Sequence, residues 1–171
     1  MRQIRTGVFE TNSSSVHSIC IANDMPDMDK WRGTVLRVNG DDYGWSMDEL
    51  ADPKSRMSYM YTAFMSQFTF EEVQNRLTEV FREYDIELDF EEPRYRHSEY
   101  SGIDYYDNNI DHDYELADFI QATWNDSSTM LSFVFGEKSF VHTGNDNTDL
   151  DEYPEHWYDE AEGTTKYEKG N

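Results

Sequence analysis

Nine consecutive residues near the N-terminus combine the functional groups that catalytic sites use. The run from Glu10 to Ser18, ETNSSSVHS, brings carboxylate, hydroxyl, amide and imidazole groups together. In a hydrolase or transferase, Ser14 could act as the nucleophile while His17 takes its proton. The spacing matches neither the G-x-S-x-G elbow nor the S-x-x-K pattern, so no known catalytic geometry follows from it. The other interpretation is a polar turn whose short side chains bond to loop backbone.

The stretch RTGVFETNSSSVHSI, from Arg5 to Ile19, is the first of three segments that share a resemblance. The others are Gly102-Ile103-Asp104, with Ile110-Asp111-His112 as a rival match, and the series FVF, SFV and TGNDN at 133–135, 139–141 and 143–147. These segments resemble a group of small, uncharacterised proteins from phage and Firmicute genomes. The resemblance implies an origin in a phage or mobile element and implies no activity. Three polar segments that converge in the fold would form one site.

An enzyme built on this convergence would have a polar pocket made of Thr11–His17 and Thr143–Asn147. Its reaction, a hydrolysis or a group transfer, cannot be named from the residues. The side chains proposed for catalysis are Ser14, His17, His112 and Asp146. The side chains proposed for binding are Glu10, Thr11, Asn12, Ser13, Ser15, Asn145 and Asn147.

The charge of the chain favours a different class of function. The 171 residues include 36 Asp and Glu against 14 Lys and Arg, for a formal net charge of −22. Such a chain is unsuited to bind nucleic acid or anionic membranes directly, because both need Lys and Arg to neutralise phosphates. The same charge suits a partner protein with a basic surface. Carboxylates could then stand in for phosphates in the nucleic-acid groove of a host factor.

We therefore expect first a binding protein, and an enzyme as the alternative. The binding protein would be a nucleic-acid mimic that inhibits a defence or nucleic-acid-handling factor of the host. The interpretation that competes with it is an acidic surface that serves solubility alone. The carboxylates proposed to contact the partner are Asp107, Asp111, Asp113, Asp149, Asp151, Glu152 and Glu155.

Metal and cofactor motifs are weak in this sequence. The five histidines have no i, i+4 pair, and there is no phosphate-binding glycine loop. Residues 107–118 follow the spacing of a calcium loop, but His112 stands where the sharp turn needs glycine. We expect no metal and no cofactor. The single cysteine, Cys20, and the absence of an apolar leader favour a cytoplasmic protein without disulfides.

The spacing of apolar residues predicts an α+β fold. Thr69-Phe-Glu-Glu72 is a capping box, and Asp113 is a candidate N-cap for a later helix. Methionines and aromatics from Met57 to Phe68 recur every three or four residues, which indicates a buried helix face. The predicted helices cover 57–68, 70–84 and 114–124, and the predicted strands cover 16–22, 34–38 and 86–90.

Two further predictions concern the C-terminal third. Residues 130–135 and 139–143 are expected to form an antiparallel hairpin around Gly136-Glu137-Lys138. Residues 1–144 would then form one domain, with an antiparallel sheet and about three helices. Residues 145–171 would form an acidic tail, partly held on the domain by Tyr153, Trp157 and Tyr158.

Overall fold

The computed structural model describes residues 15–44, 46–97, 99, 102, 104–111, 113–145 and 161–169. It confirms a single α+β domain with a mainly antiparallel central sheet. The sheet strands are β1 (Ser15–Ala22), β3 (Asp48–Leu50), β7 (Phe140–Asn145) and β8 (Thr164–Lys169). Their spatial order is β3-β7-β1-β8, so β1 and β7 lie at the centre.

Two smaller sheets lie outside the central one. Strands β2 (Val35–Val38) and β4 (Glu87–Phe90) form a parallel pair, and β5 (Tyr95–His97) and β6 (Asp104–Tyr106) form an antiparallel pair. Asn39-Gly40, a sequence typical of a hairpin turn, follows β2 but closes no hairpin, because β2 and β4 run parallel. Gly40 instead lies against Tyr106, so closely that a Cβ atom would sit 1.8 Å from the Tyr106 hydroxyl.

Four α-helices pack around the sheets: α1 (Pro53–Met65), α2 (Phe70–Arg82), α3 (Ala117–Asn125) and α4 (Ser127–Phe135). The capping box at the start of α2 is confirmed, since Thr69 and Glu72 bond each other's backbone N–H. Helix α1 begins four residues earlier than predicted, because Asp52 caps it and Pro53 fits its first position. The predicted apolar face of α1 is confirmed as core, with Met57 and Phe64 fully buried.

The predicted hairpin of residues 130–143 is wrong in its first half. Residues 130–135 belong to α4, and only 140–145 form a strand. The Asp126 carboxylate accepts hydrogen bonds from the Ser128 and Thr129 N–H groups, which starts the helix. The prediction that Asp113 caps the preceding α-helix is also wrong. A 3-10 turn covers Asp113–Leu116, and α3 begins after it without a side-chain cap.

The segment after residue 144 contributes to the central sheet. Residues 164–169, which the sequence places in an acidic tail, form β8 and pair with β1 along its length. The prediction that the domain ends at residue 144 therefore does not hold for these residues. The rest of that segment, 146–160 with 170–171, lies outside the described residues, as do Tyr153, Trp157 and Tyr158.

Arg56 fixes the loop between α4 and β7. Its guanidinium is buried on α1, and Nη1 donates to the Gly136 carbonyl at 2.7 Å and to the Ser139 carbonyl. Burial lowers the pKa of Arg56 to about 10. These two bonds hold the start of β7 in the register that brings Thr143 opposite His17.

Candidate functional site

The pairing of β1 with β7 brings two of the resembling segments together. Ser15 lies opposite Asn145, and His17 lies opposite Thr143. The third segment also arrives here, because the Ser15 hydroxyl donates to the Asp111 carbonyl at 3.4 Å. Described residues of β1, β7 and the Asp111 backbone therefore meet in one cluster. The pocket expected from this convergence also needs His112 and Asp146, which lie outside the described residues, so it stays a prediction.

His17 lies at the centre of this cluster and is fully buried. Its Nε2 lies 3.3 Å from the Gly44 carbonyl, which can only accept, so Nε2 carries the proton. Its Nδ1, 2.8 Å away from the Tyr59 hydroxyl, then accepts from Tyr59. Burial, and next the charge of Lys169, lower the pKa of His17 to about 3. The imidazole is therefore neutral at neutral pH and serves to join three segments of the chain.

Lys169 is the residue of the site that the sequence analysis missed. Its ammonium is fully buried at the end of β8, donating to the Ser15 carbonyl at 2.7 Å and to the Ser15 hydroxyl. Burial lowers the pKa of Lys169, while nearby carboxylates, first Asp111, act to raise it. A buried lysine is rare and is held in place by such partners. The only strand signal in TTKYEK was its two threonines and its tyrosine, which favour β structure, and the segment lay inside the expected tail.

The loop between β2 and β3 closes over the same cluster. The Thr143 hydroxyl donates to the Ser46 carbonyl at 2.7 Å and accepts from the Asp48 N–H at 3.1 Å. On the other face of β7, His142 Nε2 lies 4.0 Å from the Glu49 carboxylate. The loop that carries Gly44 is therefore fixed on the central sheet at its β3 end.

The chemistry of the cluster is limited by its burial. Ser15, His17 and Lys169 each have no exposed surface, so no substrate can reach them in this arrangement. At neutral pH, His17 is a very weak base, and its Nδ1 already accepts a hydrogen bond. Ser15 and Lys169, which are in contact, are the pair in this cluster that resembles a nucleophile and its base. In this arrangement the polar groups of the cluster bond to one another, and these bonds stabilise the packing of the strands and the loop around it.

Many of the candidate residues lie outside the described residues. These are the catalytic candidates Ser14, His112 and Asp146, the binding candidates Glu10, Thr11, Asn12, Ser13 and Asn147, and the acidic candidates Asp149, Asp151, Glu152 and Glu155. Their roles stay predictions. Of the binding candidates, Ser15 lies in the cluster and Asn145 lies opposite it on β7.

The second feature of this region is an acidic surface beside the cluster. Tyr43 and Ile110 form a backbone bridge, with Tyr43 N–H donating to the Asn109 carbonyl and Asp111 N–H donating to the Tyr43 carbonyl, both at 2.9 Å. Asn109 N–H also donates to the Asp42 carboxylate at 3.0 Å. The bridge places residues 41–49, the first segment, beside residues 107–115, the second segment. We call the carboxylates of these two segments the acidic face. They are Asp41, Asp42, Asp48 and Glu49 from the first segment and Asp107, Asp111, Asp113 and Glu115 from the second.

Few cations lie near the acidic face in the described part of the chain. Arg96 forms an ion pair with Asp107, and Arg94 lines a cavity together with Asp41 and Asp107. Lys169 is buried behind the second segment. The four carboxylates of the first segment are exposed, whereas those of the second are half-buried. The sequence analysis named Asp107, Asp111 and Asp113 but missed the first segment, because only the fold shows that residues 41–49 lie beside them.

The side chains and helices of the described residues bear on two other features, a metal site and a membrane span. No group of three or more His, Cys, Asp or Glu side chains among them could hold a metal ion. None of the helices they form has the length and apolar character needed to cross a membrane. The candidate chemistry therefore lies in the buried cluster and in the acidic face.

The chain matches no protein-family model, no curated protein and no solved structure. The function therefore has to be inferred from the geometry of these two features.

Proposed function

We propose that the protein binds a partner with a basic surface through its acidic face, as a mimic of nucleic acid. The observation that carries this proposal is the backbone bridge between Tyr43 and Ile110. It joins two stretches, 38–53 and 97–137, that hold fourteen Asp and Glu and no Lys or Arg. The negative charge is thus segregated in the fold and not only in the composition.

The physical basis is the complementary potential of the two surfaces. A face with several carboxylates and few cations attracts Lys and Arg, raises the association rate and loses this advantage in salt. A host protein that binds DNA or RNA presents such a basic groove, so the mimic would occupy it and exclude the nucleic acid. A phage or mobile-element origin fits this role, because it supplies a reason to inhibit a defence factor of the host.

The experiment measures displacement of a labelled DNA duplex from purified bacterial DNA-binding proteins by fluorescence anisotropy. The test variant neutralises the exposed half of the acidic face with Asp41→Asn, Asp42→Asn, Asp48→Asn and Glu49→Gln. The substitutions keep oxygen acceptors, so the hydrogen bond from Asn109 to residue 42 can persist. The control variant removes four charges from other exposed positions, with Asp24→Asn, Glu71→Gln, Glu83→Gln and Glu162→Gln.

The proposal expects displacement by the wild type and by the control, with a steep loss as salt rises, and little displacement by the test variant. Screening with a Debye length of about 8 Å at physiological salt gives the salt dependence. Equal displacement by the test and control variants would show that net charge alone acts. Absence of displacement by the wild type at low salt would remove the proposal.

An enzyme is the second candidate function, favoured by the contact of Lys169 with Ser15. A lysine beside a serine is one known arrangement of base and nucleophile. A fluorophosphonate probe followed by mass spectrometry would test it, with Ser15→Ala as one control and Ser14→Ala with His17→Ala as the other. Labelling of a serine in this segment would support an enzyme. Absence of labelling would agree with the complete burial of Ser15 and leave the binding protein.

A further inference from the structure

The outer edge of β4 is a second candidate binding surface, because it presents backbone hydrogen-bonding groups. Glu87 N–H donates to the Thr34 carbonyl at 3.0 Å, and Glu91 N–H donates to the Val38 carbonyl at 2.9 Å. In a parallel pair, alternate residues of a strand bond to the same neighbour. The N–H and C=O groups of Leu88 and Phe90 therefore point away from β2. Among the described strands, β4 pairs with β2 alone, so these groups form an open edge.

A groove runs beside this open edge, between β4 and α2. It contains a cavity of about 540 Å³, and a second cavity of about 340 Å³ continues from it across the start of β4 to Thr34 and Val35. The two cavities share Thr78, Arg82 and Leu88 in their linings. Gln74 and Asn75 of α2 and Phe90 of β4 line the larger cavity. The helix thus forms one wall and the strand edge the other, which is the arrangement in which domains accept an extended peptide by strand addition.

The side chains around the groove favour one chemistry of peptide. Along β4, Leu88 and Phe90 are half-buried on the inner face, whereas Glu87 and Asp89 are exposed on the outer face. A neighbouring strand places its own side chains on the same two faces in alternation. Apolar residues would therefore contact Leu88 and Phe90, and basic residues would lie beside Glu87 and Asp89.

We propose that this groove binds an extended peptide strand of a partner protein in which apolar and basic residues alternate. The charges at the rim agree, because Glu79, Asp85 and Glu87 line the groove against one cation, Arg82. No residue of the groove belongs to the acidic face. The proposal therefore goes beyond the proposed function and stands or falls separately from it.

The test uses the synthetic hexapeptide acetyl-Lys-Val-Lys-Val-Lys-Val-amide and the ¹⁵N-labelled full chain. The peptide is expected to shift the amide signals of Leu88 and Phe90 and to slow their hydrogen exchange about tenfold. The Glu87 amide, already bonded to β2, is expected to change little. The matched peptide acetyl-Glu-Val-Glu-Val-Glu-Val-amide is expected not to bind.

Two variants separate strand addition from general attraction to an acidic protein. Thr78→Trp fills the groove and is expected to weaken binding about tenfold, whereas Gln121→Trp, on the exposed side of α3, is expected to leave it unchanged. The variant with Asn and Gln on the acidic face is also expected to bind normally. Signal changes confined to the acidic face, or no binding at a peptide concentration of about 1 mM, would overturn the proposal.

Discussion

The buried His17 gives a direct test of the site through the pH dependence of stability. In the folded protein its pKa is about 3, against an ordinary value of 6.5. Below pH 6.5 the unfolded chain binds a proton at this residue and the folded chain does not. Stability therefore falls as pH falls from 6.5 towards 3, and the full contribution of the neutral imidazole is present above pH 6.5.

The size of the effect follows from the two pKa values. Each pH unit below the unfolded value costs about 1.4 kcal/mol, because one more proton is bound in the unfolded state. At pH 5, which lies 1.5 units below the unfolded pKa of 6.5, His17 therefore destabilises the fold by about 2 kcal/mol relative to pH 8. Protonation of carboxylates also acts over this range, and it reduces the self-repulsion of a chain with net charge −22. The wild type alone would not separate the two effects.

The variant His17→Gln separates them. Glutamine can donate to the Gly44 carbonyl and accept from Tyr59 without titrating. Urea unfolding followed by tryptophan fluorescence at pH 8, 7, 6 and 5 gives the free energy of unfolding for both proteins. The difference between them is expected to shrink by about 2 kcal/mol from pH 8 to pH 5. His97→Gln, at an exposed position, is the control. A difference that stays constant with pH would refute the burial of a neutral imidazole.

Three further predictions concern stability and use the same urea assay at pH 7. Thr69→Ala removes the N-cap of α2 and is expected to lower the free energy of unfolding by about 1 kcal/mol. A larger loss is not expected, because Glu72 and the helix interior remain. Asp126→Ala is expected to cost about 1–2 kcal/mol. Hydrogen bonds to its carboxylate lower the pKa of Asp126 to about 2, from an ordinary value of 3.8. The same assay repeated at lower pH is therefore expected to show this stabilisation lost as pH falls from 3.8 towards 2. Gly40→Ala is expected to cost about 1–3 kcal/mol through collision with the Tyr106 hydroxyl, and Tyr106→Ala is expected to remove most of the additional cost in the double variant.

Local signals predicted the parts of the fold that depend on local contacts. The capping box at Thr69 identified the start of α2 because both of its hydrogen bonds lie within four residues. The alternation in residues 16–22 identified β1, and the three-and-four spacing from Met57 identified the buried face of α1. The capping box and the helical spacing report contacts between residues close in the chain, whereas β1 pairs with two strands near the C-terminal end of the sequence.

The same reasoning failed where an apolar run is buried on all sides. Residues 130–135, MLSFVF, carry little periodicity, because all six are buried in α4. Periodicity alone cannot separate a buried strand from a buried helix. The Asp126-Ser-Ser-Thr129 sequence was the missed signal, since an aspartate followed by hydroxyl residues caps a helix. Strand β8 was missed because its residues are mostly polar and were therefore assigned to a tail, while the sequence does not show that they pair with β1.

The candidate site was predictable only as separate segments. The sequence named His17, Ser15 and Asp111, and the fold brings them within one cluster. It could not show that His17 is neutral and buried, because its surroundings come from Tyr59 and Gly44, far away in the chain. Sequence separation also hid the acidic face, whose two halves meet through a backbone bridge that no spacing reveals.

Lys169 connects the two features of the molecule. It is the buried cation beside the second half of the acidic face, where Asp111, Asp113 and Glu115 all act on it. A buried ammonium costs several kcal/mol unless partners compensate, and half-buried carboxylates close together repel one another. The ammonium and the carboxylates therefore each reduce the energetic cost of burying the other. The contact of Lys169 with Ser15 attaches these charges to β1. The first half of the face has no such buried cation among its described neighbours. Its carboxylates are exposed and accept hydrogen bonds from Asn109 and Ser46 without a buried cation beside them, so a basic partner would gain most by binding there.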